Sequence, residues 1–423
     1  MNSAIGAIIG LAVAIVLIIR KFSPVYSLLL GAVVGGLLGG MGLDATVANM
    51  ISGVKDITPA IIRIIAAGVL SGVLIKTGAA ASISHAIVNR LGERHVFLAL
   101  ALATMLLAAV GVFIDVAVIT VAPIAIIISE RLGVSRFGVL LAMIGGGKCG
   151  NIISPNPNTI IAAENFGAPL SSVMLANVAA AVIGLFVTVY LIVPLLARRM
   201  KSDVTVARAM QNVEEQSLPS FGASIAGPVV VMVLLMLRPV MGVAIDPLIA
   251  LPVGGVVGII ATRQWRRVAE CVSYGLEKMS VVAVLLVSTG AIAGIIKAST
   301  LTDMLIAVLG NGESARVLLA PLSGIVMSAA TASTTAGATI ASASFSEAIL
   351  ASGVAAVWGA AMVNVGCTVI DHLPHGSFFH ATGGAVEMGI KDRLKMIPYE
   401  TAVGLVLTIC SVATYLLIGN IFV

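Results

Sequence analysis

Long apolar runs separated by short polar stretches divide the chain into ten segments, at about 4–19, 24–43, 57–78, 137–163, 171–197, 223–241, 247–262, 279–299, 352–386 and 397–420. An α-helix needs ~20 mostly apolar residues to cross a hydrocarbon core of about 30 Å, and these runs fall near that length. Two further runs, 95–131 and 313–349, are too long for one crossing and have no polar turn suited to two full ones. Each is predicted to be a re-entrant hairpin. The pattern therefore predicts an all-α polytopic membrane protein.

One stretch violates the apolar pattern where a crossing should continue. Residues 145–159 carry four glycines, two prolines, three asparagines and Lys148 between apolar flanks. Glycine lowers helix propensity, and proline removes a donor and clashes with the preceding turn, so the helix over 137–163 is predicted to break at mid-depth. Unwound backbone inside a bilayer is tolerated only where protein or a hydrated cavity satisfies its polar groups. The break is thus a candidate binding site, offering Gly147, Asn151, Ser154, Asn156, Asn158 and Thr159 beside Lys148.

The two halves of the chain resemble each other. Gly68–Lys76 is similar to Gly290–Lys297, Gly111–Asp115 answers to Gly324–Ser328, and Ile153–Asn158 lines up with Ile370–His375. The expected organisation is a first repeat over 1–200, a cytoplasmic linker over 201–221 and a second repeat over 222–423, whose broken helix is 352–386. Similar halves with interrupted helices at matching places point to a secondary transporter. Five full crossings per half would insert the second half upside down. With both termini outside, basic residues from Arg20 and Lys21 through Lys278 to Lys391, Arg393 and Lys395 fall in the cytoplasm, while Lys55, Arg238 and Arg316 stay outside. That bias follows the positive-inside rule. The hairpin at 95–131 then enters from the cytoplasm and that at 313–349 from outside.

Composition agrees with this picture. Of 423 residues, 59% are hydrophobic and 10% charged, with a mean hydropathy of +1.13. The net charge of +5 is scattered over short loops and forms no nucleic-acid face. The first run has no positive charge before it and Arg20-Lys21 after it, the reverse of a secretory signal, and reads as an uncleaved crossing. Cys149, Cys271, Cys367 and Cys410 have no paired spacing and suggest neither disulfides nor zinc.

Titratable groups inside these runs are the candidate chemistry. An ammonium near mid-membrane costs about 2.5–3.5 kcal/mol, so Lys148 should face something negative. That group is a substrate carboxylate or a side chain such as Asp115; the alternative is a buried structural pair. Asp115, at the expected tip of the first hairpin, is a candidate proton or cation site, or else a helix cap. The second hairpin offers Ser328, Thr331, Ser333, Thr334 and Thr335, hydroxyls suited to an anionic or polyhydroxylated ligand near half-helix N-termini. Any one of them could equally bond back to its own helix. Asp371, His372, His375 and His380 lie within ten positions, a density that apolar packing does not require. Asp371, His372 and His375 suit a proton relay because histidine changes charge in the physiological range. Asn151, Asn156, Asn158 and Asn364 offer amide oxygens to sodium as the alternative coupling ion.

Three stretches, 145–159, the Ser/Thr-rich 328–337 and Asp371–Gly376, resemble the gluconate permease family, within the wider ion transporter superfamily that also holds divalent anion/sodium symporters. The likeness covers nearly the whole chain. It implies a homodimer in the cytoplasmic (inner) membrane, with a scaffold domain and a mobile domain that alternates access by an elevator motion. It also implies carboxylate substrates, with proton coupling in the gluconate branch and sodium coupling in several relatives, and no organic cofactor. Sugar-acid permeases carry a Pro-Pro-His-Pro-like run where this chain has Ser154-Pro155-Asn156-Pro157, so the resemblance points to the carboxylate class rather than to gluconate itself. The expected function is proton-coupled import of a hydroxy or sugar-acid monocarboxylate. An intramembrane metalloprotease is disfavoured: the chain lacks His-Glu-x-x-His, and Asp371-His-Leu-Pro-His375 puts proline where helix-borne ligands would stand. Paired hairpins argue against a passive channel.

Overall fold

The computed structural model describes residues 2–199, 218–304, 313–374 and 376–419. The first half opens with α1 (Asn2–Ile19), α2 (Pro24–Leu38), the long α3 (Leu43–Lys76) and α4 (Ala79–Leu91). Next come α5 (Val96–Ala109) and α6 (Ile114–Leu132), joined by a short turn at Gly111, whose φ of 101° suits glycine. Then α7 (Arg136–Asn151) gives way to α8 (Pro157–Asn165). The half ends with α9 (Leu170–Ala176), α10 (Val178–Val187) and, after a π turn, α11 (Val193–Arg199).

The second half contains α12 (Phe221–Met241), α13 (Pro247–Ala261) and the long α14 (Val268–Lys297). After residues 305–312, α15 (Glu313–Thr331) and α16 (Thr334–Ala351) meet at a two-residue turn. Then follow α17 (Ala356–Gly366), α18 (Ser377–Ala385), α19 (Ile390–Lys395) and α20 (Ile397–Ile418). Of the expected linker 201–221, residues 201–217 lie outside the described residues, as does the candidate His375.

Among the described residues, five helices are long and apolar enough to cross a membrane. Large apolar side chains such as Val240, Val284 and Leu417 stand exposed on them, a surface suited to acyl chains rather than water. The two longest helices, α3 and α14, run against each other along most of their length. Where they touch, the side chains are minimal: a Cβ on Gly275 would sit 2.0 Å from Gly68 O, and one on Gly53 2.1 Å from Gly290 O. Small residues let the backbones approach, which is how helices bind one another where lipid removes the hydrophobic drive.

Two sequence expectations need correction here. The helices α3 and α14 begin well before positions 57 and 279, because the charges taken as their ends, Lys55 and Lys278, lie within them. The glycine run does not itself break the helix: Gly145, Gly146, Gly147 and Gly150 all belong to α7, which ends at Asn151. Packing overrides propensity at this point. A Cβ at Gly146 would lie 2.0 Å from Ala101 O, and at Gly150 2.1 Å from Met105 O, so these glycines let α7 lie directly on α5.

Candidate functional site

Four chain interruptions converge on one cavity of about 410 Å³. The α5–α6 turn contributes Phe113 and Asp115, the α15–α16 turn Ala332 to Thr335, the end of α7 Asn151, and the segment after α17 Asp371. Each turn is shaped locally. Ala332 has φ 47°, a strained value for a residue with a Cβ, and Ser333 caps α16 by accepting the amide of Ala336 at 3.3 Å. Asp115 stands in the first turn of α6, where Oδ1 accepts the Val116 amide at 2.9 Å. A larger cavity, about 570 Å³ near Arg316 and Tyr415, holds none of the candidate binding or coupling residues.

Behind the cavity lies a buried charge network. Lys148 Nζ donates to Asp371 Oδ1 at 2.7 Å and to the carbonyl of Thr368 at 2.5 Å. The expected partner, Asp115, is not its counter-ion, because α7 presents Lys148 to the unwound segment that follows α17 instead. Asp371 Oδ2 accepts from Thr334 Oγ1 at 2.6 Å, so the carboxylate joins the lysine on one side to the second turn on the other. His372 Nδ1 lies 3.2 Å from Lys148 Nζ and 3.0 Å from Asp371 Oδ1, while Nε2 lies 3.1 Å from the carbonyl of Ile397. Beyond it, Glu400 is paired with Arg393, whose guanidinium also reaches Thr382 Oγ1 at 3.1 Å and stacks over Phe379. All five charged or titratable members are at most 2% exposed.

The asparagines form a second network, between the two interrupted helices. Asn156 caps α8 by accepting the Thr159 amide at 3.0 Å and donates to Asn151 Oδ1 at 2.7 Å. Asn364 of α17 donates to Thr159 Oγ1 at 3.1 Å and accepts from Asn158 at 2.7 Å. Asn156, Asn158, Thr159 and Ser154 therefore sit behind the cavity wall, fixing one break against the other. Asn151 Nδ2 and Ser154 Oγ are buried without a hydrogen-bond partner, and Asn151 is the one of the two that lines the cavity.

Several candidates are turned elsewhere. Gly147 leaves room for Ile114, which a Cβ would approach to 2.5 Å. Ser328 and Thr331 bond back to Ile325 O and Met327 O of their own helix, whereas Ser333, Thr334 and Thr335 face the cavity. His380 Nε2 meets the carbonyl of Pro374 at 2.8 Å, on the exposed side.

The sequence reading missed four residues. Glu277 and Lys278 of α14 line the cavity opposite Asp115, and adjacent charges inside a helix that otherwise stays apolar were the available signal. Arg393 was hidden in a charged stretch that reads as a solvated loop, and Glu400 stands inside the crossing expected over 397–420, where a lone carboxylate was the available signal.

The comparisons with known proteins bear on the whole arrangement. Residues 3–251 match the GntP family permease model, and residues 223–311 match that of the Na+-H+ antiporter family. An uncharacterized transporter of Haemophilus influenzae is 53% identical over 411 residues, covering 97% of both chains. The D-serine transporter DsdX of Escherichia coli K12 is 23% identical over 79% of this chain and 81% of its own. The high-affinity gluconate transporter of the same organism is 24% identical over 53% of this chain and 50% of its own. In fold, the chain is similar to the crystal structure of the Alcanivorax borkumensis YdaH transporter, with a TM-score of 0.65, 15% identity and coverage of 89% of this chain and 90% of that one. The chain belongs to the GntP permease family, and it is a multi-pass membrane transporter, not an enzyme.

Proposed function

We propose that this protein is a secondary active transporter that imports a small hydroxy or sugar-acid monocarboxylate together with a proton. The observation that carries the proposal is the convergence of both helix turns and both interrupted helices on one cavity, with Asp115, Asn151, Thr334 and Asp371 in its wall. Amide and hydroxyl donors at helix N-termini suit a carboxylate and its hydroxyl groups. The relatives named for D-serine and gluconate transport small carboxylates bearing hydroxyls, which fits that donor set.

The element order supports reading the halves as inverted repeats, α5 to α8 answering to α15 to α18. On that reading these eight helices form a mobile unit. It slides in elevator fashion along a scaffold built on α3 and α14, in a homodimer of the inner membrane with both termini outside. One carboxylate entering with one proton is nearly electroneutral, which is consistent with proton coupling. A sodium-coupled carboxylate symporter is the alternative, favoured by the antiporter-family match over 223–311 and by the asparagine network.

Uptake of labelled gluconate and D-serine into proteoliposomes tests both readings. Proton coupling is upheld if a protonophore abolishes accumulation and replacing sodium with choline does not. The reverse pattern selects sodium coupling, and transport that never exceeds equilibration overturns secondary active transport.

A further inference from the structure

His372 stands at a branch point in the buried network. Its Nε2 faces the carbonyl oxygen of Ile397 at 3.1 Å, an acceptor with no proton to give, so Nε2 carries the hydrogen. Thr401 Oγ1, 3.2 Å away, suits the same arrangement. Nδ1 then has two incompatible neighbours. The Lys148 ammonium at 3.2 Å can only donate, and the Asp371 carboxylate at 3.0 Å can only accept. A neutral ring accepts from Lys148; an imidazolium donates to Asp371 and is repelled by Lys148. The one site therefore holds two hydrogen-bond patterns, chosen by a single proton.

The surrounding charges make that choice matter for an anion. The groups facing His372 are Lys148 from α7, Asp371 from its own segment and Glu400 from α20, whose Oε2 is 3.9 Å from Nδ1; Arg393 from α19 pairs with Glu400. Lys148 and Arg393 against Asp371 and Glu400 sum to zero with the ring neutral. A proton on Nδ1 leaves the cluster at +1, in a region cut off from solvent. Asp371 is the member that also lines the cavity, where Asp115, Glu277 and Lys278 formally sum to −1, so the added charge of the cluster offsets an excess that would repel an anion.

We infer that the coupling proton binds His372 Nδ1, and that the net positive charge it creates in the Lys148, Asp371, Glu400 and Arg393 cluster is what holds a carboxylate in the adjacent cavity. The proton passes from cavity water to Asp371 and on to Nδ1, forming one N–H bond, and returns by the same route after the anion leaves. Nε2 keeps its hydrogen throughout. The inference rests on the proton-coupled reading above and specifies which group implements it. Glu400 and Arg393 are positioning residues that hold the network neutral until the proton arrives.

Linkage makes the coupling reciprocal: if protonation raises carboxylate affinity by some factor, typically about 5- to 150-fold, the carboxylate raises proton affinity equally. Calorimetric titration of gluconate in buffers of different ionisation enthalpy counts the protons taken up on binding. Wild-type protein should take up one, with affinity falling as pH rises, and His372→Gln should take up none and show a flat pH profile. Equal proton uptake by both proteins overturns the His372 assignment and leaves proton coupling intact. A wild type that binds gluconate without a proton and accumulates it only with sodium overturns both. Nitrogen NMR of histidine-labelled, ligand-free protein provides a test independent of substrate, with His372 assigned by replacing the other four histidines in turn. Its neutral ring should be the Nε2–H tautomer with Nδ1 bare; an Nδ1–H tautomer, which leaves no vacant Nδ1 for the coupling proton, overturns the inference.

Discussion

Lys148 Nζ lies 2.7 Å from Asp371 Oδ1, and neither side chain is more than 2% exposed. Removing one partner of such a pair leaves a buried, uncompensated charge, at a cost of about 3–5 kcal/mol. Lys148→Met and Asp371→Asn are each expected to destabilise the protein by that order. The double substitution removes both charges and should recover much of the stability while remaining inactive in uptake. Thermal unfolding in detergent beside proteoliposome transport checks this. Two single losses that simply add in the double variant would show that the pair is not coupled.

Asp115 gives the opposite combination. Its Oδ1 accepts the Val116 amide, a bond an asparagine oxygen can also accept, and its carboxylate lines the cavity. Asp115→Asn should therefore melt like the wild type but lose transport. A hydrogen bond to a charged group contributes about 1.5–3 kcal/mol, or roughly ten- to a hundredfold in uptake. Unchanged uptake kinetics would remove Asp115 from the site.

How much of this was legible in the sequence depended on the range of the interaction. The interruption after Asn151, the turn at Gly111 and the cap at Ser333 depend on nearby residues, and the glycines, prolines and serines that make them stand out in the sequence. The choice of Asp371 over Asp115 as partner of Lys148 joins positions 223 residues apart, and only the docking of α7 on the segment after α17 decides it. Arg393 was misplaced, and Glu400 left without a visible partner, for a related reason. Lys391, Asp392 and Lys395 surround Arg393 with charge and make the stretch read as solvated, whereas folding α19 back on α20 buries that one guanidinium among Thr382, Phe379 and Glu400. Glu277 and Lys278 stand just before the apolar run at 279–299, and an apolar run stops at a charge even where the helix, passing a polar cavity, does not.

The contact between α5 and α7 carries a prediction about assembly. At Gly146 and Gly150 an added Cβ would lie about 2 Å from the backbone oxygens of Ala101 and Met105, atoms that cannot rotate away. Overpacking of this kind costs about 1–3 kcal/mol per site, and more where backbone must shift. Gly146→Ala and Gly150→Ala should each lower the unfolding temperature and the yield of monodisperse protein. Gly222→Ala, where a Cβ meets nothing within 4 Å, should not. Equal stability across the three would mean that α5 and α7 do not lie in direct contact.

Acid stability offers a last test, at the joint between α3, α8 and α13. Arg63 of α3 pairs with Glu164 of α8 and with Asp246, which caps α13 and accepts the Leu248 amide at 2.8 Å. The adjacent guanidinium holds the Asp246 carboxyl below the usual carboxylate range. A depressed carboxylate contributes stability that is fully present above its unfolded value, about 3.9, and is lost as pH falls through the folded value. Because Asp246 is well exposed, the effect is modest and is screened by salt. Asp246→Asn should lower the unfolding temperature at neutral pH, flatten its decline at acid pH, and converge with the wild type once the wild-type Asp246 is protonated. A variant that runs parallel to the wild type at every pH would show that the pair contributes nothing to acid sensitivity.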